Sequence, residues 1–405
     1  MTSDRTADTP EPPAPRRAGL PRNVKVLAVA SLFNDIATEI VFPLLPSFLL
    51  TVLHGNKFSL GAIEGAADSL ASLLKLWSGS LSDRLGNRKR FVFTGYALAS
   101  IVRPLIGLVT HPWQLMAIRL TDRFGKGLRA APRDAVIASS TDQTNRGWAF
   151  GFHRAMDHVG AAVGPLLATL FLYFFPDQLR TLFLLTLIPG LCVVVLIGLG
   201  LREPAQTAEP RPASTLSWAP FDRNFRLFLA ALVIFNLGNS TDSFLLLRAE
   251  ELGLPKLYLP ALWSVFHIAK SLANLYLGRL VDRQGPRRLL YAGWGVYALV
   301  YLGFGLATSV WEVWVWFLVY ALYYGLAEPA EKTLVAHLAG PHRRGLAYGW
   351  YNFAIGLTML PASLLFGAIY QTFGAVAAFT MGALFSLTGT ALFRFVRDPA
   401  PPAAT

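Results

Sequence analysis

The 405-residue chain is 54% hydrophobic and only 15% charged, with a mean hydropathy of +0.44, whereas a soluble domain averages about 25% charged residues. Many apolar runs reach the ~20 residues that span a bilayer, which excludes a soluble globular protein, and the short alternating strands of a β-barrel are not seen. The formal net charge of +12 does not indicate nucleic acid, because Arg and Lys cluster in alternate loops, and the single cysteine, Cys192, excludes an intrachain disulfide or a cysteine-based metal site.

Residues 1–22 are Pro-rich and polar and lack an apolar core. They read as a disordered cytoplasmic tail rather than a cleaved signal peptide. Twelve spans follow, at roughly 23–53, 58–81, 90–109, 113–136, 146–174, 180–201, 224–251, 256–280, 288–308, 311–338, 344–371 and 375–396. The polar, Pro-rich stretch 202–222 divides them six and six and reads as a cytoplasmic linker between a bundle at 23–201 and a bundle at 223–397; 398–405 is a tail.

Basic residues mark one side of the membrane. Arg16, Arg17, Arg22, Lys25, Arg84, Arg88, Lys89, Arg90, Arg146, Arg202, Arg211, Arg223, Arg283, Arg287, Arg288, Arg343, Arg344 and Arg397 all fall there, against Lys57, Arg180 and Lys256 on the other. The positive-inside bias puts both termini in the cytoplasm of an inner-membrane protein.

The halves repeat. Gly79-x3-Asp83-Arg84-x-Gly86-x-Arg88-Lys89 recurs 199 positions later as Gly278-x3-Asp282-Arg283-x-Gly285-x-Arg287-Arg288. Arg146-Gly147-Trp148-Ala149-Phe150-Gly151 recurs at 198 as Arg344-Gly345-Leu346-Ala347-Tyr348-Gly349, and Phe33-Asn34 recurs at 202 as Phe235-Asn236. Three matches at nearly one offset indicate two six-helix halves in parallel repeat, an arrangement that places a substrate site between them at mid-membrane.

These motifs resemble those of the major facilitator superfamily, and the resemblance runs from about residue 23 to 397. The loop Gly79-Ser-Leu-Ser-Asp83-Arg84-Leu-Gly86-Asn87-Arg88-Lys89 is similar to the family signature between spans two and three, with Asn87 as its departure. The resemblance implies an all-α fold of two six-helix bundles. Asp83 can pair with arginines of neighbouring helix ends, a latch that must break when the cytoplasmic side opens. Gly151-x8-Gly160-x3-Gly164-Pro165 resembles the fifth-span motif of exporters working by antiport, although Ala168-Thr169 replaces its closing Gly-Gly. Ordinary small-residue packing is the plainer reading of the same glycines. Arg119 resembles the arginine that the family links to proton transfer in span four, with Asp122-Arg123 in place of Gln-Gly.

Ionisable residues at membrane depth are costly and mark function by default. On a helical wheel Arg119, Asp122, Arg123, Lys126, Arg129, Arg133 and Asp134 fall within roughly 140° of arc, a charged face that must look at protein or at a wet cavity. Asp35 and Glu39 share a face of span one; Glu64, Asp68 and Lys75 share one of span two. Arg103 comes from span three, and His153, Arg154, Asp157 and His158 from span five. Asp35, Glu39, Asp122 and Asp157 are the proton-site candidates; a structural ion-pair network is the alternative. The second half has fewer charges — Asp242, His267, Lys270, Glu328 and Glu331 — and more aromatics, so it reads as an apolar and aromatic wall built from Trp294, Trp311, Trp314, Trp316, Tyr320, Tyr323, Tyr324, Trp350 and Tyr351, with an interfacial anchor as the plainer reading of Trp311, Trp314 and Trp316. Asp83 and Glu331 read as gate or cap residues.

The function so implied is secondary active transport: proton-coupled antiport exporting a small organic solute, with protons as the second partner and a monomer in the bilayer as the unit. Divalent-metal export through Asp35, Glu39, Glu64, Asp68, His153 and Asp157 is a second reading, opposed by the adjoining cations. A non-transporting receptor is a third. No cofactor, resident metal site or catalytic constellation is read, so an enzyme is not expected. Asp35→Asn and Arg119→Ala are each expected to abolish coupled transport with folding intact.

Overall fold

The computed structural model describes residues 19–142, 145–203, 218–219, 221–340 and 343–397, except the side chains of Ser80, Arg279 and Asp282. The two tails beyond 18 and 397 and most of the 202–222 linker lie outside these described residues. The described residues form helices, arranged as twelve passes: α1 Arg22–Val52, α2 Lys57–Leu85, α3 Arg88–Leu108, α4 Pro112–Ser139, α5 Arg146–Phe174, α6 Leu179–Gly200, α7 Arg223–Glu251, α8 Leu259–Gln284, α9 Pro286–Leu306, α10 Val310–Ala339, α11 344–373 and α12 375–393. The last two run on as one 50-residue helix turned at Gly374, where φ is 84° and only glycine is unstrained. Three long helices, α2, α4 and α8, are not apolar enough to read as bilayer spans on hydropathy. α2 and α4 carry the buried Glu64–Arg119 pair, and α8 carries Lys270.

Local signals set the ends. Asn56 caps α2 by accepting from the Ser59 amide at 2.7 Å. Gly86 closes it in the left-handed conformation at φ 62°. Asn87, the departure from the family signature, accepts from the Arg90 amide at 3.0 Å and so starts α3.

The repeat is real in space. In the first six passes α1 packs on α5 and α6, α2 on α4, and α3 on α4 and α6; in the last six α8 packs on α10, and α9 on α10 and α12. Glycines make the equivalent close approaches: a Cβ on Gly127 would meet Leu74 of α2 at 2.6 Å, and one on Gly325 would meet Ala273 of α8 at 2.8 Å. The halves meet along α2–α11 and α5–α8, two contacts that the repeat exchanges.

Cross-half contacts lie at mid-depth and at the end opposite Asp83. At that end Lys57 Nζ is 2.6 Å from Glu251 Oε1 and Ser47 donates to Glu250 at 2.9 Å. Deeper, Ser264 donates to the Ala162 carbonyl at 2.7 Å. The end that carries Asp83, Arg88 and Arg146 is called the basic end below.

Candidate functional site

A cavity of about 650 Å³ lies between the halves and reaches towards the basic end, where Arg133, Asp134, Arg154 and Asn352 line it. A second lobe of about 320 Å³ runs against α7, α8 and α10. Glu39, Arg123, Lys126, His267 and Lys270 line both, so the lobes adjoin.

The charged face of α4 turns inward, but its arginines are held by partners. Arg119 Nε donates to Glu64 Oε1 at 2.7 Å and the second nitrogen completes a bidentate pair, both side chains being at most 3% exposed. Arg103 donates to Asp122 at 2.7 Å, and Arg119 lies 3.8 Å from the other Asp122 oxygen. Arg103 also reaches the Asn34 carbonyl at 3.4 Å. Arg123 is 3.3 Å from Asp68. Arg129 lies 4.3 Å over the Tyr96 ring and donates to the Gly95 carbonyl at 3.2 Å. Arg133 pairs with adjacent Asp134 at 2.9 Å. Lys126 differs from these: it is exposed, and the space it is exposed to is the cavity.

Asp35 and Glu39 face the cavity from α1. Asp35 accepts from its neighbour Asn34 at 3.0 Å. Glu39 Oε2 accepts from the Trp263 indole of α8 at 2.7 Å, with His267 Nε2 at 3.9 Å. On α5, buried His153 lies 3.5 Å from Asp157, which is 3.9 Å from the exposed Arg154. His158 lines the cavity.

The glycine motif of α5 divides. A Cβ on Gly160 would meet the Leu32 carbonyl at 2.6 Å and one on Gly164 the Ile36 carbonyl at 2.7 Å, so these two, with buried Pro165, seat α5 on the α1 face that bears Asp35 and Glu39. Gly151 has open space around it.

Asp83 does not reach across the halves. Its partner is Arg88 of the same loop, at 2.8 Å. The Arg88 and Lys89 amides donate to the Glu203 carboxylate at 2.9 and 2.6 Å, and Lys89 Nζ reaches the Gly198 carbonyl. Gly79 lies against Ala131 of α4, and Arg84 and Arg283 are exposed. The Asp282 side chain is outside the described residues.

Two expectations change. Trp294, Tyr320, Tyr323 and Tyr351 do not form a substrate wall: they are buried inside the second half, with Tyr320 and Tyr323 stacked at 5.7 Å and Trp294 on Phe235 at 4.5 Å. Tyr324 does line the cavity. Glu331 is no gate either; it accepts from Trp294 at 3.1 Å and Tyr351 at 2.8 Å, tying α9, α10 and α11 together. The ligand set proposed for a metal is dispersed, Glu64 and Asp68 being taken by arginines, and among the described residues no three His, Cys, Asp or Glu groups converge to hold an ion.

What sequence reasoning missed is a break in α7. Helix ends at Gly238 and resumes at Ser243, leaving Asn239, Ser240, Thr241 and Asp242 as non-helical backbone at the cavity wall. Asp242 accepts from the Tyr320 and Tyr324 hydroxyls at 2.7 and 3.2 Å. The polar run Asn236-Leu-Gly-Asn239-Ser-Thr-Asp242 inside an apolar span was the available signal. Interrupted backbone is tolerated at membrane depth only where it lines a cavity or is buried in protein.

The Major Facilitator Superfamily profile matches residues 27–318 and 227–405. An uncharacterised MFS-type transporter of Methanocaldococcus jannaschii is 29% identical over 378 residues, covering 90% of this chain and 94% of the relative. The multidrug resistance protein MdtG of Serratia proteamaculans is 25% identical over 388 residues, covering 92% and 93%. Among solved structures, the nucleoside transporter NupG shares the fold at a TM-score of 0.77 and 13% identity, over 92% of this chain and 99% of that one. The twelve-pass fold, the repeat and the family match agree: this chain belongs to the major facilitator superfamily and is a multi-pass membrane transporter of small solutes.

Proposed function

We propose that this transporter exports a small organic solute in exchange for protons, by rocking of its two six-helix halves about the central cavity. Glu39 carries the reading. It lines both lobes and is bonded across the halves to Trp263. A carboxylate that meets a wet cavity in one state and a closed one in the other exchanges its proton between the two sides. Neutralising Glu39 weakens a charge-assisted bond between the halves and removes a charge from the solute's path.

Efflux is supported by the α5 glycines, which resemble the exporter motif, and by relatives named multidrug resistance proteins. The charge bias puts the basic end and both termini in the cytoplasm of the inner membrane. On that orientation the cavity opens inward, and the Asp83 latch is unmade, Asp83 being turned to Arg88. Asp35, Asp122 and Asp157 are the further proton candidates, but Asp122 is held by Arg103 and Arg119, so Asp35 is the stronger.

The test begins with a solute-toxicity screen of a deletion strain. Solutes that become toxic are then assayed in proteoliposomes holding the purified protein. An imposed pH gradient is expected to drive each active solute against its own gradient, with matching proton movement. Solute flux indifferent to the pH gradient sinks the coupling.

A further inference from the structure

Around the cavity most arginines are paired with carboxylates and the lysines are not; Arg129 is the arginine that, among the described residues, has no carboxylate within 4.0 Å, and it rests on the Tyr96 ring. Arg103, Arg119, Arg123 and Arg133 each have a carboxylate within 4.0 Å. Lys75, Lys126 and Lys270 line the same space, and among the described residues none has a carboxylate within that distance. Lys270 rests 3.3 Å from the Tyr324 ring centroid. Asp35, Glu39 and Asp242 form the converse set. Their nearest contacts are neutral donors — Asn34, Trp263, and Tyr320 with Tyr324 — and among the described residues no lysine or arginine lies within 4.0 Å of them.

Unpaired charges inside a protein are costly. Here both signs stand unpaired along two adjoining lobes, held apart by the helices that carry them. A molecule bearing both charges would complete both sets together.

Linkage decides among the charge classes. An anion meeting the lysines makes the neighbouring carboxylates hold protons more tightly, and by reciprocity protons then favour the anion. Solute and proton would bind together, which is the wrong sign for exchange. A cation competes with protons but leaves the lysines unmet. A zwitterion meets the lysines and competes with protons.

We propose that the transported solute is a small zwitterion whose cationic group sits at Asp35 and Glu39 and whose anionic group meets Lys126. This rests on the proton-exchange reading above. Asp35 and Glu39 are faced by Arg119, Arg123 and Lys126 from α4, Asp157 from α5, and Trp263 and His267 from α8. The broken segment of α7 offers Asn239, Ser240 and Thr241 to the uncharged remainder, and the 320 Å³ lobe suits a small molecule.

The test uses purified full-length protein and three zwitterions: alanine, alanylalanine and 5-aminopentanoate. Each is compared with its N-acetyl form, an anion, and its amide, a cation. Binding is read by thermal stabilisation and calorimetry. At least one zwitterion is expected to bind better than both of its capped forms. Lys126→Gln is expected to weaken that zwitterion about tenfold, the factor that 1.4 kcal/mol represents, and to leave its amide unchanged. Lys126→Arg, which keeps the charge, is expected to retain binding and controls for folding. A capped form binding as well as its parent overturns the proposal, and so does a panel in which no zwitterion binds.

Proton exchange is read separately, from pH. Zwitterion affinity that falls as pH falls supports both readings. Affinity indifferent to pH removes proton exchange and leaves the charge class standing. Binding that falls with pH but is shared equally by the amides removes the zwitterion and leaves proton exchange.

Discussion

The Lys57 ammonium lies 2.6 Å from the Glu251 carboxylate and 4.1 Å from the centroid of the Tyr370 ring, so α2, α7 and α11 meet at one point on the end opposite the basic loops. Glu251 also accepts from the Tyr370 hydroxyl at 2.7 Å. This cluster must part for the cavity to open on that side. Glu251→Gln keeps an acceptor and loses the charge. The pair is part-exposed, so the change is worth at most about 1 kcal/mol, a roughly fivefold shift towards opening there. In a Cys192→Ser background, Ser240→Cys provides a reporter at the cavity wall. Faster labelling of that reporter from the non-basic side is the expected outcome, and an unchanged rate would remove the gate.

Glu39→Gln separates coupling from carriage. The amide oxygen can still accept from Trp263, so the bundle should survive. Solute-for-solute exchange is expected to continue, while transport driven by a pH gradient falls to background. Both are measured in the same proteoliposomes, and retained pH-driven transport would take the proton away from Glu39.

Arg119→Ala now carries a different expectation from the sequence alone. Its partner Glu64 is 1% exposed and would be left as a buried unpaired charge. Such a break costs about 3–5 kcal/mol. Lower yield and a lower melting temperature in detergent are expected, with most of the loss recovered in the double variant Glu64→Gln/Arg119→Gln, whose two amides can bond each other. A single variant as stable as wild type would contradict the buried pair.

The glycines of α5 should not behave alike. Gly164→Ala drives a methyl into the Ile36 carbonyl and pushes α5 off α1, an overpacking cost of roughly 1–3 kcal/mol. Gly151→Ala meets nothing and gains helix propensity, a change of about 0.5–1 kcal/mol in the stabilising direction. Melting temperatures of the two variants are expected to move in opposite directions. Equal losses would mean that the motif acts as a unit.

The pass boundaries were legible because hydropathy and length are properties of the chain itself. The structure moved most ends by only a few residues, as for α2, read at 58–81 and found at Lys57–Leu85. The fold was legible from the repeat of Gly79–Lys89 at Gly278–Arg288, since two like halves in one membrane leave few arrangements. The broken α7 was not read: Asn239-Ser240-Thr241-Asp242 is compatible with helix, and only the cavity beside it makes open backbone tolerable there. The aromatic wall was misplaced because composition does not say which way a ring points, and Trp294 and Tyr320 point into their own half.

The chain's own pattern determined that it crosses a membrane twelve times, that its halves repeat, and that α4 carries its charges on one face. Tertiary structure decided which of those charges are spent on each other. The Arg119–Glu64 pair joins α4 to α2 and the Arg103–Asp122 pair joins α4 to α3, and no helical wheel of a single helix shows them. The same packing left Lys126, Asp35 and Glu39 facing the open space, because pairing depends on distances of a few ångströms that only the assembled bundle sets.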